Sequence, residues 1–555
     1  MRHIGSYGAG IGSWIRLAWR GRRRITTVAV ALATALGGTL VADVPTASAS
    51  LSETVVITAT GLLTPVAAVL QVGGSILTKL GLIDGVVASI PTLLEPVLAA
   101  LPGITVTPDL SITIGSAPES DGPHTPSDVF LQETGATQLA AAGDTGHGVT
   151  VAVLDTGIDK LPDFSGRVVG GVDLTGANKP FQDSYGHGTF VAGLIAGDGT
   201  SSGGQYSGEA PGAKLVSIKV AGATGVTSLG AVLAGLQWAA DHRSALHIKV
   251  LNISLGIPPT GSTVTSPLDQ AVEAVWNAGI AVVVSAGNAG PFDGTILSPG
   301  DDPLVITVGA LDDMATASVR DDEMTDFSSI GPTSVDGEVK PDLVTSGRSV
   351  VSLAAPGSTV YNDYPSARIG SANFVGSGTS FSAAITSGAA ALVLADHPGL
   401  TPDQVKARLL GTVNPGPVGN PFADGHGALD AYAAATAKSM NLRQSVAGLA
   451  ATPVGTTVSL APTSAVDTWN TTLWSGLSWK PAPPDGWLWD GVLWDGGEWN
   501  ALAWVGKAWN GWAWDGAAWN GVAWVGKAWN DAVWDGSSWN GSAWDSDAWD
   551  SSAWG

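Results

Sequence analysis

The stretch from Gly376 to Ala384, Gly-Ser-Gly-Thr-Ser-Phe-Ser-Ala-Ala, sets three serines among small residues and runs straight into the apolar, alanine-rich segment ending near Leu392. An unassisted serine hydroxyl is a weak nucleophile near neutral pH; it needs a base, and the base needs a group to orient it. Small residues suit a tight turn that leaves a hydroxyl uncovered. A helix starting near Ser380 would aim its unsatisfied N–H groups at a developing oxyanion. Taken alone, the stretch fits better as a Gly/Ser loop capping an ordinary helix, with Ser377 and Ser382 competing with Ser380 for any catalytic role. Three other positions change that balance. Asp155 stands in Val-Leu-Asp-Thr-Gly-Ile-Asp, His187 in Gly-His-Gly-Thr-Phe-Val-Ala-Gly, and Asn288 in Ser-Ala-Gly-Asn-Ala-Gly. A carboxylate, an imidazole and a hydroxyl make a nucleophile with its base and orienting group, and a side-chain amide can donate to an oxyanion. Asp183, shortly before His187, reads as a loop or capping acid.

Elements must bring these groups together. Val149–Leu154, Lys214–Val220, Lys249–Ser254, Gly279–Ser285 and Leu304–Val308 are largely apolar strand-like runs. Between them lie the helix candidates Gly188–Ala196, Leu229–Ala240 and Leu268–Asn277. This alternation predicts an α/β domain with a parallel sheet covered by helices on both faces. Sites in such sheets form at the carboxyl ends of the strands. Asp155 and Asn288 each follow a strand, and His187 and Ser380 each open a helix.

The order Asp, His, Ser is one of the known orders of a convergent triad. With these motifs in place, residues 129–438 resemble the subtilisin-like serine proteases, the subtilase family. Asn252-Ile253-Ser254-Leu255-Gly256 resembles the family's segment lining the primary specificity pocket, and Glu209-Ala210-Pro211-Gly212-Ala213 its Val-Ala-Pro-Gly-Ala turn. There are departures. Ala384 stands where the family usually has proline, Phe190 and Leu161 where it often has histidine, and the segment after Lys340-Pro341-Asp342 is altered. None removes a proton-transfer or oxyanion group. The resemblance implies acyl transfer with Ser380 as nucleophile, His187 as base, Asp155 as its orienting carboxylate, and Asn288 with the Ser380 N–H as oxyanion donors. It implies substrate contacts at Ser254, Leu255, Gly256, Ser285, Ala286 and Gly287. These are small or apolar and include no carboxylate, so the expected substrates are proteins or peptides with a large apolar or aromatic residue before the cleaved bond. No cofactor is required. Family members often bind structural calcium, for which Asp198–Glu209 and Asp321-Asp322-Glu323 offer carboxylates, and no metal ligand set is assigned.

Length allows roughly two to four domains. The formal charge of the 555 residues is −23. The first 49 residues hold six of the 25 Lys and Arg but one of the 48 acids, so the remainder is more acidic still. That excludes nucleic acid as a partner, because a polyanion selects a basic face. There is no cysteine, which excludes disulfides, a thiol nucleophile and a thiolate metal site. Residues 1–49 read as a signal peptide for a secreted, extracellular enzyme: a basic n-region, an apolar run from Ile25 to Val41, and Ala47-Ser48-Ala49 as cleavage site. The alternative is an uncleaved membrane anchor. Residues 50–114 alternate β-α-β-β-α-β, the ferredoxin-like split motif, and the resemblance makes them a propeptide that assists folding and blocks the cleft. Its expected strands are Glu53–Thr60, Ser75–Leu82, Gly85–Ile90 and Ile104–Ile114, and its helices Leu63–Val72 and Pro91–Leu101. Residues 115–128 form the linker in which autoprocessing is expected.

Residues 439–468 read as a second linker. In 469–555 tryptophan recurs every five residues, without a gap from Trp489 to Trp554. Trp504-Val505-Gly506-Lys507-Ala508-Trp509-Asn510 returns twenty residues later as Trp524 to Asn530. Asn-Gly and Asp-Gly steps signal turns, and a fixed period signals a repeat architecture. Four pentads per coil suits a solenoid. An exposed aromatic ladder contacting a cell envelope or polysaccharide, or low-complexity disorder, are the alternatives. Two functions therefore compete: a secreted serine endopeptidase, and a subtilase-like scaffold whose work is surface or carbohydrate binding by the tail.

Overall fold

The computed structural model describes residues 52–61, 63–115 and 125–437, together with the backbone of short strands between Lys480 and Ser546. The leader, most of the 115–128 junction and the 439–468 linker lie outside the described residues.

The N-terminal unit runs β1 (Ser52–Ala59), α1 (Pro65–Gln71), β2 (Ser75–Leu80), β3 (Gly85–Pro91), α2 (Glu95–Ala99) and β4 (Ile104–Pro108). Its sheet is antiparallel in the order β2-β3-β1-β4. Helix α1 starts where Thr64 accepts from the Ala67 N–H and Pro65 presets the first turn. Side chains alternate across a strand, so the sheet has two apolar faces. Val55, Ile57, Val86, Ala88 and Ile90 form one small core with Val69 of α1 and Leu98 of α2. Val56, Leu80 and Val87 point the other way and join the core of the next unit. The single last strand expected over Ile104–Ile114 is two. Strand β4 ends at Pro108, and β5 (Ser111–Thr113) leaves the sheet to pair antiparallel with β9 (Val226–Ser228). Proline lacks the N–H that would continue the ladder, and Asp109 turns its carboxylate to the Gly230 N–H instead, at 2.7 Å.

The central unit continues α3 (Phe130–Glu133), α4 (Ala136–Ala142), β6 (Thr150–Asp155), β7 (Val168–Asp173), α5 (His187–Ala196), β8 (Lys214–Lys219), β9, α6 (Leu229–Leu246), β10 (Ile248–Ile253), α7 (Pro267–Asn277), β11 (Ala281–Ser285) and β12 (Ile306–Asp312). There follow β13 (Glu323–Met324), β14 (Leu343–Ser346), β15 (Val350–Leu353), α8 (Thr359–Asp363), β16 (Arg368–Ile369), β17 (Asn373–Gly376), α9 (Thr379–Asp396), α10 (Pro402–Gly411) and α11 (Ala431–Thr436). The main sheet runs β13-β12-β11-β10-β6-β8-β7, with β14 also on β12. All of these pairs are parallel except β12 with β13. Every residue of β6 and β11 is buried. A strand buried on alternate and intervening positions alike must be covered on both faces. Helices α5 and α9 pack on each other and on the sheet, as do α6 and α7. A second, antiparallel sheet of β15, β17 and β16 leads into α9.

In the tail Lys480–Ala482 pairs antiparallel with Gly486–Leu488, and the described strands from Leu493 onward pair in parallel with a register of twenty residues. Trp494 lies opposite Trp514 and Trp514 opposite Trp534, while Trp504, Trp524 and Trp544 form another column.

Candidate active site

Strand β6 ends at Asp155, and its parallel neighbour β10 ends one residue before Ser254, so both open toward the same edge. The Asp155 carboxylate is buried and accepts from the Thr156 N–H at 2.7 Å. Both its oxygens face His187 Nδ1, at 2.9 and 3.0 Å. A carboxylate can only accept, so Nδ1 carries the proton and Nε2 is the free base. Nε2 is buried and has no hydrogen-bond partner among the described residues.

Two contacts seat the histidine. Thr156 Oγ1 accepts from the Gly188 N–H at 2.9 Å and donates to Asp183 at 2.8 Å. Asp183 in turn accepts from Gly186 N at 2.7 Å and Thr189 N at 2.8 Å, capping the first turn of α5. The capping role read from the sequence is the one it has. A side chain at Gly188 would collide with the Gly157 carbonyl oxygen, so glycine is what lets α5 approach the loop after Asp155. Burial pushes the His187 pKa down, but the charge of Asp155, its hydrogen bond and the charge of Asp183 outweigh this, and the net shift is upward from 6.5. For Asp183 itself burial prevails and raises the pKa.

Ser380 lies in the first turn of α9, after Gly378 at the helix boundary. Its Oγ donates to the Ser254 carbonyl at 3.3 Å, and Ser254 Oγ donates to the Ser380 carbonyl at 3.0 Å. The adjacent Phe381 ring lies 5.6 Å from the His187 ring and 4.4 Å from Phe190. Phe190 thus packs beneath the histidine's neighbour. The competing serines are engaged elsewhere: Ser377 Oγ accepts from Ser349 N at 2.9 Å, and Ser382 Oγ donates to the Thr345 and Ser346 carbonyls at 3.1 Å.

Asn288 Oδ1 accepts from the Thr379 N–H at 2.9 Å and Oγ1 at 3.0 Å. A backbone N–H can only donate, which fixes the amide's orientation and leaves Nδ2 as a donor. In the first turn of α9 the Thr379 N–H is thus taken by Asn288 and the Phe381 N–H by the Gly378 carbonyl at 3.0 Å. Sequence reasoning missed the supports of this arrangement. Asn252 donates to Ser254 Oγ at 2.9 Å and accepts from Ser387 Oγ at 2.9 Å, pinning α9 to β10. Thr156 and Thr379 sat inside the quoted motifs, and their adjacency to Asp155 and Ser380 was the available signal. Leu255 and Ala286 are buried behind the two segments that flank the serine, Ser254–Gly256 and Ser285–Gly287.

In the loop after α5, Asp198 accepts from Thr200 and Ser165, with Arg167 3.5 Å away, and Asp163 of the turn before β7 accepts from Ser201. Among the described residues no group of three or more His, Asp or Glu side chains is arranged to hold a metal ion.

The geometry can activate a hydroxyl and stabilise an oxyanion. Comparison with known proteins agrees with such chemistry. The subtilase family's sequence pattern matches residues 146–427. Over 293 residues the chain is 43% identical to serine protease AprX of Bacillus subtilis, spanning 51% of this chain and 65% of that protein. It is 34% identical to subtilisin DY of Bacillus licheniformis over 302 residues, 54% of this chain and 95% of that one. It is 35% identical to subtilisin Savinase of Lederbergia lenta over 292 residues, 53% and 92% of the two chains. Among solved structures, fervidolysin from Fervidobacterium pennivorans, a keratinolytic enzyme related to subtilisin, is similar with a TM-score of 0.56 at 24% identity, covering 70% of this chain and 61% of that one. At that identity the likeness concerns the fold alone.

Proposed function

The chain belongs to the subtilase family of serine-type endopeptidases, and from that premise we propose that it is a secreted endopeptidase, made as a proenzyme, that hydrolyses proteins or peptides through Asp155, His187 and Ser380. The observation that carries this reading is the His187 ring, held by Nδ1 on both oxygens of a buried carboxylate with Nε2 left unpartnered. Rotation of the Ser380 side chain off the Ser254 carbonyl would bring its proton to Nε2; such catalytic hydrogen bonds often tighten only with substrate bound. The hydroxyl oxygen attacks the scissile carbonyl as His187 takes its proton. Asp155 stabilises the resulting imidazolium without itself becoming protonated. The oxyanion is received by Asn288 Nδ2 and the Ser380 N–H, donors already oriented by Thr379 and the helix turn. His187 then protonates the leaving amine, and water repeats the sequence on the acyl-enzyme.

The N-terminal unit is, in this reading, the ferredoxin-like propeptide. Support comes from β5, which lies as an added antiparallel strand on β9, and from the Ile114 N–H, which donates to the Gly225 carbonyl at 2.8 Å. The cleaved bond falls between Gly115 and Asp128. The repeat tail serves retention at a cell envelope or an insoluble polysaccharide.

A fluorophosphonate probe tests the central claim. The matured protein should be labelled once per chain, and Ser380→Ala should abolish labelling. A folded, matured sample that resists the probe, or labelling that survives Ser380→Ala, overturns the proposal.

A further inference from the structure

Strand β8 ends at Lys219, whose register partner on β6 is Asp155 and on β7 is Asp173. Lysine is seldom fully buried unless its ammonium is paired, yet Lys219 is only 3% exposed. Its Nζ donates to two backbone carbonyls, Thr156 at 2.9 Å and Gln182 at 2.6 Å.

Those carbonyls belong to the two loops that carry the acid and the base. Thr156 follows Asp155 directly, and its N–H is held on Asp155 Oδ1. Gln182 precedes Asp183, which caps the first turn of α5, where His187 sits. The loops run close together: a Cβ on Gly157 would lie 2.8 Å from the Gln182 carbonyl oxygen. Two ties between them use their own side chains, Thr156 Oγ1 to Asp183 at 2.8 Å and Asp183 N to Asp159 Oδ1 at 2.7 Å. Lys219 reaches both loops from a third element, a strand of the main sheet. Two carbonyl oxygens aimed at one point repel each other, and a shared ammonium turns that repulsion into two charge-assisted hydrogen bonds.

Charge matters as well as geometry. Asp155 and Asp183 both favour the protonated form of His187. Lys219 faces Asp183, Asp173 and Asp159, with Lys179 as a neighbouring cation. Burial lowers its pKa from 10.5, and the three carboxylates oppose that shift. A positive charge here works against the pull of the two carboxylates on the imidazole.

We propose that Lys219 is a positioning residue for the Asp155–His187 pair: it clamps the Thr156 and Gln182 carbonyls so that the carboxylate stays aligned with Nδ1, and its charge resists protonation of the ring. This rests on the endopeptidase reading and adds to it a residue that touches neither substrate nor the reacting atoms. Its loss therefore acts on turnover and on the pH profile rather than on substrate binding.

The test uses the matured full chain, its active sites counted by the fluorophosphonate probe, and one uncharged peptide anilide assayed across pH. Lys219→Met removes both hydrogen bonds and the charge. It should lower kcat per active site about tenfold or more and leave KM within about twofold, the pattern of a misplaced reacting group. It should also move the acid midpoint of kcat/KM up by about half a pH unit, the size of one partly screened charge. Lys219→Gln keeps N–H donors and loses the charge. It should move the midpoint in the same direction with a smaller loss of kcat, and it takes the place of the methionine variant if that chain does not fold. Lys219→Arg keeps the charge and should leave the midpoint at the wild-type value. A chain that is merely less stable yields fewer titrated sites and an unmoved midpoint. A midpoint that stays put or falls in the neutral variants overturns the inference, as does unchanged kcat in Lys219→Met or an arginine variant shifted as far as the neutral ones. In each of these cases a wild-type chain that takes up the probe and cleaves the anilide leaves the endopeptidase reading standing. A folded wild-type chain that does neither overturns both.

Discussion

In the proposed mechanism neutral imidazole is the base, so the protonation of His187 would set the acid limit of activity. Burial alone would favour the neutral ring, but the carboxylate at 2.9 Å favours the charged one and prevails, with a net shift upward from 6.5. Activity is therefore lost as pH falls through a value above 6.5 and gained as it rises. The acid limb of kcat/KM for a neutral peptide should have its midpoint on that side. A midpoint below 6.5 would mean that Asp155 does not govern the ring. Asp155→Asn should lower turnover by about four orders of magnitude through the wrong tautomer, while leaving chain folding intact by circular dichroism. The four candidate groups could be picked out before any coordinates because each sits where a strand ends or a helix begins, and because their types have few other joint uses; the structure pairs Asp155 with His187 and sets Asn288 against the turn that carries Ser380. The tie of Asn252 to Ser387 was not legible: 135 residues separate them, and only the packing of α9 on β10 brings the two side chains together.

At the level of elements, the N-terminus of α6 is a point where the N-terminal unit is hydrogen-bonded to the central one. Its own cap, Ser228, accepts from Ala231 N, while the Leu229 and Gly230 N–H groups are met from the other unit by the Leu110 carbonyl at 2.9 Å and Asp109 Oδ1 at 2.7 Å. A carboxylate at a helix N-terminus gains from both the hydrogen bond and the helix dipole. Residues 50–114 supplied to matured enzyme should inhibit peptide hydrolysis, and Asp109→Ala should weaken that inhibition by about tenfold, the size of one charge-assisted hydrogen bond of roughly 1.5 kcal/mol. Equal inhibition constants for the two would show that the contact is incidental. The pattern of this unit was readable from alternation and from Pro and Gly punctuation, and five of the eight strands of the central sheet were readable from length and apolar runs. What could not be read was pairing. The run Ile104–Ile114 looks like one strand because every position has β-forming residues nearby; the break at Pro108 matters only because β9 stands ready to receive β5. Strand β7, Val-Val-Gly-Gly-Val-Asp, was missed because two consecutive glycines weaken the strand signal, although Gly171 is where the backbone lies close to Ser217 of β8.

For the molecule as a whole the question is where the catalytic unit ends. Helix α11 packs on α4, α9 and α10. The last carbonyls of a helix have no partners within it, and here they are supplied from inside the unit. Arg408 donates to the Ala434 and Ala437 carbonyls at 2.9 and 3.1 Å, and His397 Nε2 donates to the Ala435 carbonyl at 2.8 Å. Both of these donors lie within the described central unit. All four groups of the proposed mechanism lie between Asp155 and Ser380. The tail's described strands from Leu493 onward, by contrast, pair with each other at a twenty-residue register, the coil length set by four pentads. A parallel ladder of this kind satisfies its backbone rung by rung and does not need the catalytic sheet as a template. A chain ending at Lys438 should therefore fold, mature and hydrolyse small peptide anilides with the kcat/KM of the full chain. It should differ only in retention: after incubation with cells or insoluble polysaccharide, the full chain should sediment with the solid and the shortened chain should remain in the supernatant. Loss of anilide hydrolysis in the shortened chain would place the repeat inside the catalytic fold. Equal sedimentation of the two would remove the surface-retention role and leave the tail as a self-packed repeat.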